Sequence, residues 1–215
     1  RRRVISSSSK KQRLRMISNL AHVHPDAKLG ENVSVGPFTN IEAEVTIGDN
    51  TKIESNVTIM NGTEIGHNCH IFPGAVIGAE PQDLKYKGEK TKAIVGNHTT
   101  IRECVTINRG TTDKWETRVG DYTLLMAYTH IGHDCIIGNH CILANSAGIS
   151  GHVTVEDYAI IEGQVGVGQF VRIGAFSFIA GGSLVRRNVP PFVKAAREPM
   201  SFIGVNSIGM KRRGV

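Results

Sequence analysis

VGDYTLLMAYTHIGHDCIIGNHCILANSAGISGHVTVEDYAIIEGQVGVGQFVRIGAFSFIAGGSLV, residues 119–185, sets the reading of the whole chain. Taken six residues at a time it lands on Val119, Leu125, Ile131, Ile137, Leu143, Ile149, Val155, Ile161, Val167, Ile173, Ile179 and Val185, every one aliphatic. Helices repeat at about 3.6 residues and strands at about 2, so a strict six matches neither alone. A hexapeptide period marks a parallel β-helix, in which short flat strands meet at tight corners and each coil stacks on the last. Glycine often follows the aliphatic residue, as at Gly120, Gly132, Gly138, Gly168 and Gly174, and these glycines are expected to serve the corners.

The same phase runs back through Ile77, Ile71, Ile65, Ile59, Ile53, Ile47, Ile41, Val35, Leu29 and Val23 to Ile17. It breaks twice. Residues 79–93 (AEPQDLKYKGEKTKA) have no aliphatic side chain at their hexad positions, and residues 113–118 (DKWETR) interrupt again after a return at Val95, Ile101 and Ile107. At three hexads per coil the pattern predicts an all-β solenoid of about ten coils over residues 16–190 with two ejected loops. Loops ejected from a rigid scaffold are where function concentrates.

The formal charge of +6 comes from one end. Residues 1–15 hold seven Lys and Arg and no acid, leaving 18 basic against 19 acidic residues in the remainder. A near-neutral body with no aromatic-interleaved basic stripe argues against nucleic acid. No apolar run approaches the ~20 residues of a membrane span. Residues 1–15 have no apolar core of a secretory signal and read as a leader or expression scar ahead of Met16. The cysteines lack zinc spacing, and Cys69, Cys135 and Cys141 stand where small inward-facing residues belong, which fits reduced, cytoplasmic packing thiols.

Among nine histidines, His22, His24, His67, His70, His98 and His140 read as corner residues, whereas His130-Ile131-Gly132-His133-Asp134 places a carboxylate beside an imidazole. Steps of 18 from His133 reach Gly151 and Gln169, with His152 beside Gly151. A base, an open backbone N–H and an amide are thus expected in one column, which is acid/base and oxyanion equipment without an evident nucleophile. Two other classes compete. Zinc, as in gamma-type carbonic anhydrases, needs a four-residue spacer between histidines, while His133 and His140 have six between them; His130, His133 and His152 could still meet across coils. A non-catalytic solenoid explains the repeat but leaves the loops idle.

The residues also carry a family resemblance. Pro81-Gln82-Asp83-Leu84-Lys85-Tyr86 after Ile77-Gly78, Ile101-Arg102-Glu103, Thr106-Ile107-Asn108-Arg109-Gly110, His133-Asp134-Cys135, Gly151-His152-Val153, Gln169-Phe170, Gly204-Val205-Asn206 and Lys211-Arg212-Arg213-Gly214 together resemble the UDP-N-acetylglucosamine O-acyltransferases that begin lipid A biosynthesis, in the form found in Bacteroides-like bacteria. The likeness spans 16–214. It implies a left-handed parallel β-helix, a homotrimer with sites between subunits, and transfer of a 3-hydroxyacyl chain from acyl carrier protein to the glucosamine 3-hydroxyl. The donor is a phosphopantetheine thioester, and no cofactor or metal is implied.

By that resemblance His133 is the general base, Asp134 holds its tautomer and the Gly151 N–H receives the oxyanion. Imidazole, with an ordinary pKa of about 6.5, suits the task. Asp83, Lys85, His130, His152 and Gln169 are expected around the sugar and phosphates, and Asn206, Arg212 and Arg213 at the nucleotide. Gly181, at the far end of the acyl groove, should leave room for a long chain. Lys194, Arg197, Lys211, Arg212 and Arg213 are candidate contacts for acidic acyl carrier protein. Gly168, Asn108 and Ile208 depart from the commoner family residues. Residues 191–215 are expected to begin a helical C-terminal region that the family continues beyond the Lys-Arg-Arg-Gly motif. The sibling N-acyltransferase, which acts on a free 2-amine, carries an added N-terminal domain, whereas the hexads here start almost at Met16.

Overall fold

The computed structural model describes residues 16–196 and 201–215. The hexads form as read: each aliphatic hexad residue from Val23 to Val185 ends or lies within a strand and points inward, and those from Val35 onward are buried, at 3% exposure or less. Each interior strand of the solenoid pairs in parallel with the strand one coil before and one coil after. Leu124–Leu125, for example, joins Thr100–Ile101 on one side and Ile142–Leu143 on the other. Three sheets result, and the chain is a left-handed parallel β-helix. The first sheet continues past residue 190, where Val193–Ala196 pairs with Phe178–Ile179, Ser201–Val205 folds back antiparallel, and a short helix Ser207–Arg212 follows.

Between the aliphatic columns run small buried residues with a second task. The hydroxyls of Thr51, Thr99 and Thr123 donate to the carbonyls of Gly66, Gly120 and Gly138 on the following coil. The thiols of Cys69, Cys135 and Cys141 point the same way, toward the carbonyls of Gly96, Ser150 and Glu156. Burial pushes the Cys135 and Cys141 thiols up to about 12, so these cysteines are packing and donor residues.

Glycine works differently from the expectation. Most left-handed corner positions are held by other residues, among them Asn50, Tyr122, Asp134, His152 and Phe170 at φ between 54° and 64°. Glycines such as Gly120 and Gly138 are required instead by close approach: a Cβ on Gly120 would lie 2.6 Å from the Gly138 carbonyl carbon. The loop limits also move. Residues 80–91 and 109–115 leave the solenoid, while Ala79, Ala93 and Glu116–Arg118 are in strands. The strand Glu116–Val119 was hidden because Glu116 and Arg118 face outward and only Thr117 and Val119 face in. Its mate is Lys92–Val95, in register over four residues.

The second corner, from second sheet to third, ejects both loops. The third corner, from third sheet to first, carries a ladder of near-parallel rings, His98, Tyr122, His140, Tyr158, Phe176 and Phe192, with centroids 4.6–5.4 Å apart. Beside it, side-chain oxygens of Asp49, Asn97, Asp121, Asn139 and Asp157 each accept from a backbone N–H one coil back.

Candidate active site

Three successive coils bring His133-Asp134, Gly151-His152 and Gln169-Phe170 to the same place on the second corner, linked by the His152 N–H on the His133 carbonyl and the Phe170 N–H on the Gly151 carbonyl. The column expected from the 18-residue step is there. His133 Nδ1 lies 2.8 Å from Asp134 Oδ2, and both side chains are buried. With the carboxylate ionised, Nδ1–H donates and the lone pair rests on Nε2. A Cβ on Gly151 would stand 2.6 Å from that Nε2, so only glycine lets the imidazole occupy its position. Among the described residues the Gly151 N–H donates to no other group.

Loop 109–115 closes over the carboxylate. Asp134 Oδ1 accepts from the backbone N–H groups of Thr111 at 2.9 Å and Lys114 at 3.1 Å, and Oδ2 accepts from the Thr111 hydroxyl at 2.6 Å. Burial pushes the Asp134 carboxyl up, but these hydrogen bonds and that from His133 together hold it below the ordinary carboxylate range. His133, Asp134 and His152 place one donor atom each within 4.8 Å of one another, the one such cluster among the described residues. Asp134 Oδ2 takes two hydrogen bonds there, from His133 Nδ1 and the Thr111 hydroxyl.

His152 meets the His133 ring edge-on at 4.9 Å, stacks on Phe170 at 4.4 Å and has its Nδ1 3.1 Å from Asp113 Oδ2. His130, one residue before the buried Ile131, shares a 2.7 Å hydrogen bond with Thr106 Oγ1. Burial, then the neighbouring His133, lowers the His130 pKa, which keeps that ring neutral. Loop 80–91 supplies the outer wall: Asp83, Lys85, Tyr86 and Glu89 line a cleft of about 430 Å³ with Thr111, Asp113, His152 and Phe170.

The structure thus gathers Asp83, Lys85, His130, His133, Asp134, Gly151, His152 and Gln169 on or beside one corner. Gly181 lies exposed on the first corner, its N–H on Glu162 Oε2. Arg213 sits over the Tyr158 ring on the third corner, next to the exposed Arg212. Asn206 is buried and caps the helix Ser207–Arg212: its Oδ1 accepts from the Gly209 N–H and its Nδ2 donates to the Phe176 carbonyl. These bonds make Asn206 the residue that holds the helix carrying Arg212 against the third corner. Arg197 lies outside the described residues. Sequence reading gave Thr106 no role and missed Thr111, Asp113 and Lys114. Thr106 was reachable, since it faces outward beside a hexad residue, but the loop residues have no computable register.

A solenoid of stacked hexads is the architecture of the hexapeptide-repeat proteins. Residues 116–151 match the bacterial transferase hexapeptide (six repeats) model, and residues 16–114 match that of the GMPPB C-terminal domain. The acyl-(acyl-carrier-protein)–UDP-N-acetylglucosamine O-acyltransferase of Paraburkholderia phymatum is 48% identical over 202 residues, covering 91% of this chain and 77% of the relative. The UDP-N-acetylglucosamine acyltransferase structure from Bacteroides fragilis superposes with a TM-score of 0.92 at 50% identity, covering 93% of this chain and 78% of that one. The Francisella novicida enzyme gives 0.91 at 43%, covering 93% and 74%. The chain belongs to the UDP-N-acetylglucosamine O-acyltransferase family.

Proposed function

We propose that the chain transfers a long 3-hydroxyacyl group from acyl carrier protein to the 3-hydroxyl of UDP-N-acetylglucosamine, the first step of lipid A biosynthesis. The observation that carries the mechanism is the buried His133-Asp134 dyad with Nε2 against Gly151. His133 Nε2 takes the proton of the sugar hydroxyl as that oxygen attacks the thioester carbonyl. The Gly151 N–H donates to the oxyanion, and the thiol leaving group departs with the proton from the imidazolium. Transfer is direct. Cys135, the thiol nearest in sequence, is fully buried and bonded to the Ser150 carbonyl. Lys85 and the cleft it lines suit the sugar and phosphates of the acceptor. No cofactor is needed beyond the donor's own thioester.

The acting unit is a homotrimer in this reading. His133 is on the second corner while Arg212 and Arg213 are on the third, which fits a nucleotide held between the second corner of one subunit and the third corner of its neighbour. Lys194, Lys211 and Arg212 offer charge to an acidic carrier protein. Among the described residues no helix is long and apolar enough to cross a membrane; we place the enzyme in the cytoplasm, with its substrates.

The test is acyl transfer from long and short 3-hydroxyacyl carrier proteins to UDP-N-acetylglucosamine and to a 2-amino acceptor. Long-chain transfer to the hydroxyl is expected. Preference for the amine would assign the sibling reaction, and equal use of short donors would reject an open groove at Gly181.

A further inference from the structure

Loop 109–115 forms one side of the acceptor cleft, yet its most complete set of bonds goes elsewhere. All four lone-pair directions of the Asp134 carboxylate are taken, three by this loop and one by His133. The rest of the residue is held as well: Lys114 Nζ donates to its carbonyl at 2.9 Å, and its own N–H donates to Thr117 Oγ1 at 2.8 Å. We infer that Thr111 is a positioning residue for the reaction, its hydroxyl fixing the angle and the charge of the Asp134 carboxylate that orients His133. This inference rests on His133 acting as the base.

The physical argument is one of charge distribution. A buried carboxylate bonded only to an imidazole would concentrate its charge there and hold the imidazolium strongly. Donors on its remaining lone pairs disperse that charge, so Asp134 fixes the Nδ1–H tautomer while His133 can still release its proton to the leaving thiolate. The other charged or titratable groups around His133 are His130 from the second sheet, His152 from the next coil with Asp113 behind it, and the Lys114 ammonium. None of these replaces the Thr111 hydroxyl, whose 2.6 Å contact is the shortest made by the carboxylate.

The experiment uses Thr111→Val, which keeps the volume and the backbone N–H, together with Thr111→Ser and His133→Ala, under saturating acyl carrier protein. In Thr111→Val the plateau kcat should fall about ten- to a hundredfold, the loss of one hydrogen bond to a charged group. KM for UDP-N-acetylglucosamine should stay near the parent value, and the acid limb of kcat/KM should move to higher pH. Thr111→Ser should restore both, and an unchanged thermal midpoint would show that Val leaves the fold intact. The hydroxyl also receives the Asp113 N–H, so a purely loop-shaping role would instead raise KM with kcat and pH profile unchanged. That result, or a serine variant as slow as valine, overturns the inference. Parental activity in His133→Ala would overturn the underlying base assignment; an inactive His133→Ala beside a parental Thr111→Val would overturn the Thr111 role alone.

Discussion

The second and third corners have nearly the same backbone and carry different side-chain arrays. Both turn through a left-handed residue on each coil, Asp134, His152 and Phe170 on one, Tyr122, His140 and Tyr158 on the other. On the third corner the positions are filled by rings that stack coil upon coil, and every neighbouring amide or carboxylate caps a backbone N–H. On the second corner, Gly151 makes space beside His133 and loops 80–91 and 109–115 bring polar groups that no coil requires. Within one chain the His-Asp dyad and the ring ladder thus occupy different corners, seven residues apart for His133 and His140, and in the proposed trimer the third corner would add only Arg212 and Arg213 to a neighbour's site.

The largest effect that would sharpen this contrast comes from adding one methyl group. Gly151→Ala puts a Cβ at 2.6 Å from His133 Nε2, and an imidazole displaced by about 1 Å should cost roughly a hundredfold in kcat with the thermal midpoint little changed. Turnover assays with matched melting curves check it. The converse substitution is Tyr122→Ala, which removes the ring between His98 and His140. Each stack contributes about 0.5–1.5 kcal/mol, and a half-exposed ring sits at the low end, so a loss of about 1–2 kcal/mol in unfolding free energy is expected with unchanged kcat. A drop in kcat for the folded protein would erase the division between corners.

The smallest expected effect is on pH. His130 has a depressed pKa when folded, so the unfolded chain binds the extra proton first, and the stability this group contributes is present above about 6.5 and declines as pH falls below it. Asp134, also depressed, adds a further loss below the ordinary carboxylate range. Unfolding midpoints at pH 7.5 and 5.5 should differ slightly in the parent and less in His130→Gln; an equal difference would place the titration elsewhere.

What the sequence makes legible follows from the period. Because a coil takes 18 residues, His133, Gly151 and Gln169 could be aligned by counting, and the dyad read from adjacent letters. Counting fails where chain leaves the solenoid. Thr111 is 23 residues before Asp134, and only the structure shows how many of these the loop absorbs. Glu116–Arg118 looked like loop because its outward face is charged, and the Asn206 cap on Ser207–Arg212 was hidden because it depends on Phe176, 30 residues away. The ring ladder was equally hidden, since its members differ in type and its steps vary around the loops.

The most direct measurement compares His133→Ala with His140→Ala in acyl transfer from a long 3-hydroxyacyl carrier protein to UDP-N-acetylglucosamine. His133→Ala should lose at least about a hundredfold in kcat/KM, the contribution of a general base, while folded His140→Ala stays within a few-fold of the parent. Equal losses in the two variants, or an undiminished His133→Ala, would contradict the assignment of chemistry to the second corner.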